Sequence, residues 1–218
     1  MCGRINVSDH EGVQQLLQRL GIGLNKNAFI PRFNIAPGGD ILVAFAEAPH
    51  QLAQMHWGII PHWARDKPGT RPLINARVET AWEKPSFRKL AQNTRGIVPV
   101  NGFYEWKREK NHKTPYYIKL VDHEAMALAA IYQVTREGTM EVAILTREAE
   151  GDMATVHNRM PVTLNEENME VWLRAEPPEL IQQLLGSQSL PELEIIEVSD
   201  YVNNAAHEGG KCIEPIAA

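Results

Sequence analysis

Helical spacing of apolar residues is strongest near the two ends of the chain, and between them the apolar residues alternate or cluster in short runs. Val13, Leu16, Leu17 and Leu20 recur at i, i+3, i+4 and i+7 before Gly21, a one-sided stripe that predicts a helix of about 12 residues opened by the capping box Ser8-Asp9-His10-Glu11. Towards the other end, Asn165 caps a predicted helix reaching Arg174, and Pro178 opens another that stops at Gly186. Residues 41–46 and 51–57 read as hairpin partners after a loop at 33–39, and 97–100 and 103–107 as short strands flanking the tight-turn dipeptide Asn101-Gly102. Residues 116–120, 126–133 and 140–146 add three strands, with turns at Asp122-His123 and Glu137-Gly138, and 193–198 adds a last one. Short helices are predicted over 86–92 and 152–157. The small, polar tail from Asn203 is expected to be loosely held. Without repeats or a linker, the pattern predicts a single domain over 1–218 of strand-rich α+β class, not a regular βαβ winding.

Composition narrows the setting. At 44% hydrophobic and 22% charged residues the chain reads as an ordinary soluble globular protein, and no run approaches the 18 apolar residues of a membrane span. No export signal is evident and only Cys2 and Cys212 occur, so reduced thiols and a cytoplasmic location are expected. The histidines are scattered, with neither CxxC nor HExxH spacing, so no metal or other cofactor is expected. P-loop, GxGxxG and GxSxG motifs are absent, which disfavours nucleotide hydrolysis and dinucleotide chemistry. The net charge of -5 hides an asymmetry: residues 1–120 hold 17 Lys and Arg against 9 Asp and Glu, and residues 121–218 hold 5 against 18. The first half can therefore offer a basic face to a polyanion although the protein as a whole is acidic.

The opening Met1-Cys2-Gly3-Arg4 adds chemistry. If Met1 is removed, Cys2 carries an α-amine and a thiol on adjacent carbons, both of which can be made nucleophilic near neutral pH. An amine condenses with an aldehyde to an imine, and the neighbouring thiol can close that imine into a five-membered thiazolidine, so the pair is a candidate aldehyde trap. Such a trap needs a proton shuttle. Glu105, inside the aromatic run Gly102-Phe103-Tyr104-Glu105-Trp106, is one candidate and His157, next to Arg159, is another. Asn75 and Arg77 lie two apart, so an extended segment turns both to one face, an amide for a reacting sugar and a guanidinium for a phosphate. Phe33, Trp57, Trp63 and Trp106 are candidate stacking platforms for bases, with core packing the competing reading of each.

Taken in order, these blocks resemble the SOS response-associated peptidase family, also called the abasic-site processing proteins. The resemblance runs through Met1-Cys2-Gly3-Arg4, Asn34-Ile35-Ala36-Pro37, Trp57-Gly58-Ile59-Ile60-Pro61-His62-Trp63, Asn75-Ala76-Arg77-Val78-Glu79-Thr80, Gly102-Phe103-Tyr104-Glu105-Trp106, His157-Asn158-Arg159-Met160-Pro161-Val162 and Val202-Asn203. It departs at Phe33, where the family often has tyrosine, and at Gly96, where a cysteine often follows the arginine. It implies an α+β fold with a barrel-like, bifurcated sheet and flanking helices. It implies that Cys2, freed of Met1, traps the ring-opened aldehyde of an abasic site in single-stranded DNA as a thiazolidine, in a monomeric, nucleoid-associated protein of the cytoplasm. It further implies that Asn75 holds the adduct, Glu105 shuttles protons and His157 sits near the sugar. Arg4, Arg77 and Arg159 would grip phosphates, and Pro37 and Trp57 would contact the DNA. Two other readings stand beside this one: an N-terminal-nucleophile peptidase or amidohydrolase using Cys2, and a non-catalytic DNA-binding module in which Cys2 is merely packed.

Overall fold

The computed structural model describes residues 2–45, 51–110, 112–122, 125–174, 178–187 and 191–216. Met1, and with it the question of its removal, lies outside these residues, as do Ala46 at the end of one predicted strand and His123 in one predicted turn.

Two sheets are formed by the described residues. The larger is built on β3 (Asp40–Phe45), β4 (Gln51–Trp57), β6 (Arg95–Val100), β9 (Met126–Val134) and β10 (Met140–Glu148). Pairing runs β10-β4-β3-β6-β9, and β9 pairs back onto β10, so these five strands close into a barrel. Closure removes the sheet edges and lets strands be apolar throughout: Met126 to Tyr132 and all of β6 are buried. β5 (Asn75–Arg77), β11 (Arg159–Pro161) and β12 (Thr163–Leu164) attach to the barrel strands. The second sheet is open, in the order β13 (Leu193–Glu197), β8 (His112–Leu120), β7 (Gly102–Glu109), β1 (Ile5–Val7), β2 (Arg32–Ile35). The architecture is thus strand-rich α+β with a five-stranded closed barrel and a few helices.

The helices cover the barrel. α1 (His10–Gln18), α3 (Arg88–Asn93) and α4 (Glu166–Leu173) pack on β6, while α2 (Val78–Ala81) follows β5 directly and α5 (Pro178–Ser187) rests on α4. Asn165 caps α4 as expected, its side chain accepting from Asn168 N–H at 2.9 Å. The cap of α1 is Asp9, which accepts from Glu11 and Gly12 N–H, instead of Ser8. The Ser8 hydroxyl is engaged elsewhere, donating to Asn6 Oδ1 at 2.7 Å. Buried Arg95 donates to the carbonyls of Ala91, Gln92, Trp172 and Arg174, closing the C-terminal ends of α3 and α4 with a cation.

Three expectations are corrected. Asn101-Gly102 does not close a hairpin: β6 belongs to the barrel and β7 to the open sheet, so this dipeptide is where the chain crosses between them. Gly102 is required there because a Cβ would lie 2.4 Å from the Tyr117 ring and 2.6 Å from the Ile118 carbonyl oxygen. The segment read as a loop from Phe33 is half strand, since β2 runs to Ile35 and pairs with β1. The tail is anchored: the wholly buried Asn34 donates from Nδ2 to the carbonyls of Val202, Asn204 and His207, and Cys212 is buried.

Candidate active site

Cys2 lies just ahead of β1, the strand held between β7 and β2, and is wholly buried. Two neighbours reach it from different sheets. From β5, on the barrel side, Asn75 Nδ2 donates to the Cys2 carbonyl at 2.8 Å, while its buried Oδ1 has no partner among the described residues. From β7, in the open sheet, comes Glu105: the register Ile5↔Phe103, with Tyr104 N–H donating to Arg4 O at 2.9 Å, sets the residues ahead of β1 beside it. Burial pushes the Cys2 thiol well above the usual thiol range, and the Glu105 charge pushes it further, against a smaller opposing effect of the Arg4 backbone N–H. The thiol is therefore protonated at neutral pH, and a thiolate can form only by handing its proton to a nearby base.

A groove of about 480 Å³ opens at Glu105, which lines it together with His157, while Cys2 and Asn75 are not among its lining residues. His157 follows a 3₁₀ turn at Gly151–Thr155. Its Nδ1 lies 2.9 Å from the Arg159 backbone nitrogen and 3.2 Å from the Arg159 carbonyl oxygen, so either tautomer of the ring finds a partner there. Arg4 also lines the groove, held by Asn34 Oδ1 at 2.6 Å and Val202 O at 2.8 Å and lying over the Trp106 ring at 5.6 Å. Partial burial lowers its pKa from the ordinary guanidinium value. Trp106 donates from Nε1 to Asn203 Oδ1 at 2.6 Å, so the anchored tail supplies one wall.

The remaining candidates divide. Arg77 is exposed, two residues from Asn75 on β5 as the spacing requires, and Pro37 is partly exposed in the turn between β2 and β3. Arg159 is engaged: Glu79 binds it in bidentate fashion at 2.7 and 2.8 Å, and Thr146 O accepts a third bond. Burial alone would raise the Glu79 carboxyl, but the hydrogen bonds and charge of Arg159 outweigh it and hold the group below the usual carboxylate range. Trp57 corrects an expectation. It is wholly buried, its Nε1 donating to Ile74 O at 3.0 Å, so it presents no ring face to a base. Arg108, Lys113 and Asn203 line the groove and were not singled out from the sequence as contacts. The described residues contain no group of three or more His, Cys, Asp or Glu that could hold a metal ion, and no helix among them is long and apolar enough to cross a membrane.

A closed barrel and an open sheet, meeting at a buried thiol, an amide and a carboxylate beside a cationic groove, define the class of α+β protein to which this chain is to be compared. Residues 1–205 match the SOS response associated peptidase (SRAP) family, and the chain belongs to it. Among its relatives, abasic site processing protein YoqW of Bacillus subtilis is 34% identical over 224 residues, covering 98% of this chain and 99% of that one. Abasic site processing protein YedK of Escherichia coli is 34% identical over 194 residues, covering 86% of each. A solved structure of a Bacteroides thetaiotaomicron protein shares the fold, with a TM-score of 0.83 at 22% identity over 99% of this chain and 100% of that one. A phage-related protein from Bordetella bronchiseptica matches with a TM-score of 0.74 at 28% identity, covering 90% of this chain and 94% of that one.

Proposed function

We propose that this protein processes abasic sites by capturing them covalently in single-stranded DNA. The observation that carries the reading is the meeting of Cys2, Asn75 and Glu105 beside a cation-lined groove. With Met1 removed, the Cys2 amine adds to the sugar aldehyde and water leaves as the imine forms. The thiol then adds its sulfur to the imine carbon, Glu105 takes the thiol proton and passes it to the nitrogen, and a thiazolidine remains. Asn75 Oδ1 is available to a sugar hydroxyl, and His157, in the tautomer protonated at Nε2, can donate to the sugar or its 3′ phosphate. Arg4 and Arg77 contact phosphates, joined by Arg159 when a phosphate competes with Glu79. Since the sugar lacks its base, nothing has to be flipped out. The protein acts as a monomer at the nucleoid in the cytoplasm. The cation-lined groove suits a phosphodiester strand better than a neutral peptide, which weighs against amide hydrolysis by Cys2.

The test begins with intact-protein mass, to select material lacking Met1. That material, incubated with an abasic single strand, should give a heat-stable species heavier by the oligonucleotide, and Cys2→Ala should give none. No adduct from the wild-type protein, or an equal yield from Cys2→Ala, overturns the proposal.

A further inference from the structure

The hairpin of β7 and β8 carries a feature that the capture chemistry does not use. Arg108 and Lys113 stand directly opposite each other in its register, and both line the groove. Like charges facing across an antiparallel pair are destabilising. Nearby cations avoid this: Lys107 pairs with Glu109 at 2.8 Å, and Lys119 with Glu194 at 2.5 Å. Arg108 and Lys113 are exposed and make no ion pair or side-chain hydrogen bond among the described residues. Glu105 is the one carboxylate among the groove residues described, and it faces the thiol. Along the same ladder, Trp106 stands opposite Pro115, with Arg4 over its ring. From Arg4 through Trp106 to Arg108 and Lys113, the groove thus presents a cation, an aromatic ring and two unpaired cations.

We infer that Arg108 and Lys113 form a phosphate subsite in which a backbone phosphate of a single strand bridges the two cations, guiding the strand along the β7–β8 hairpin beyond the reacting sugar. The inference deepens the reading above and names where the flanking strand lies. An anion shared by the pair turns a cross-strand repulsion into two attractions, which accounts for the cations being left opposed.

The test is fluorescence anisotropy of an oligo(dT) strand without any abasic site, over a salt series, with the full chain and the double variant Arg108→Gln/Lys113→Gln. Each phosphate neutralised on a single strand contributes about 0.7 to the slope of log affinity against log salt, so a double variant that frees the bridging phosphate should flatten it by about 0.7, with binding weakened about tenfold or more at low salt. Removing the repulsion should leave the melting temperature unchanged or raise it by about 1–3 °C. A folded double variant with an unchanged slope overturns the subsite. If the double variant does not fold, Lys113→Gln alone decides: a flatter slope supports the subsite and an unchanged one overturns it. The probe lacks an aldehyde, so this outcome is independent of capture. A wild-type protein that binds oligo(dT) through this pair but never cross-links refutes the proposed function and leaves the subsite standing.

Discussion

Glu141 on β10 and Glu105 on β7 are the two buried glutamates among the described residues, at 5% and 3% exposure, yet their surroundings differ in kind. Glu141 is ringed by donors: Arg65 at 2.8 Å, Gln133 at 2.7 Å and the Ile60 N–H at 3.1 Å. Glu105 stands against an ionisable thiol and opens on a groove. A buried carboxylate saturated by donors ties strands together, as Glu141 joins β10 and β9 to the segment after β4. One that faces another titratable group and an opening is placed to move a proton. The closed barrel holds the first and the open sheet the second, and the difference in role between the two carboxylates is one that substitution can test.

The largest effect is expected at Glu105. Glu105→Gln should slow adduct formation by about 10²- to 10⁴-fold, the usual worth of general acid–base help, as read from gel-resolved cross-linking time courses. A rate within threefold of wild type would remove Glu105 from proton transfer and erase the contrast with Glu141.

Asn34 links the two functions. Its side chain holds Arg4 and three carbonyls of the tail, so Asn34→Ala should destabilise the fold by about 2–4 kcal/mol through loss of these bonds and the groups left unsatisfied. Limited proteolysis should then cut within 202–207, and cross-linking should slow as Arg4 and Asn203 lose their places. Unchanged protease resistance would mean that the tail is held by other contacts, chiefly the packing of Val202 and Cys212.

Glu141→Gln should behave in the opposite way to Glu105→Gln. Replacing charge-assisted bonds by neutral ones should destabilise the protein by about 1.5–3 kcal/mol, visible in thermal melts, with the cross-linking rate unchanged within threefold. A slowed reaction in a fully folded Glu141→Gln protein would break the comparison between the two carboxylates.

Much of this arrangement was legible in the sequence wherever the signal was local. The cap at Asn165, the apolar runs of β9 and β10, and the β3–β4 hairpin all depend on neighbours within a few residues. β1 was missed because it has only three residues and its middle one, Asn6, is a buried polar group that breaks the apolar pattern. Barrel closure was also illegible, since the parallel pairing of β4 with β10 joins segments more than 80 residues apart and leaves no local trace. At the site, Cys2, Asn75, Glu105 and His157 stood out because their residue types carry chemistry in recognisable motifs. Trp57 did so for the wrong reason, since nothing local distinguishes a core indole from a stacking one. Arg108 and Lys113 were hidden in a hairpin rich in Lys, Arg and Glu that reads as solvated surface. Counting outward from its turn would have set them opposite each other.

The smallest effect concerns the thiol itself. Its folded pKa is raised well above the ordinary thiol value, chiefly by burial and then by Glu105, so the folded state keeps a proton that the unfolded chain begins to lose near pH 8.5–9. Stability contributed by the buried neutral thiol is fully present below that range and falls as pH rises through it, because the unfolded state then binds fewer protons than the native one. Between pH 9 and 10 the loss should be about 1 kcal/mol. Tyr104 and Tyr117, also raised by burial, add losses of the same sign at higher pH, so the measurement is the difference between wild type and Cys2→Ala in denaturant unfolding across pH 8 to 10. Cys2→Ala should show the shallower alkaline decline. If the two curves stay parallel, the thiol ionises as readily in the folded protein as in the unfolded chain. Cys2 would then not need Glu105 to take its proton, and the contrast between the two buried carboxylates would lose its chemical half.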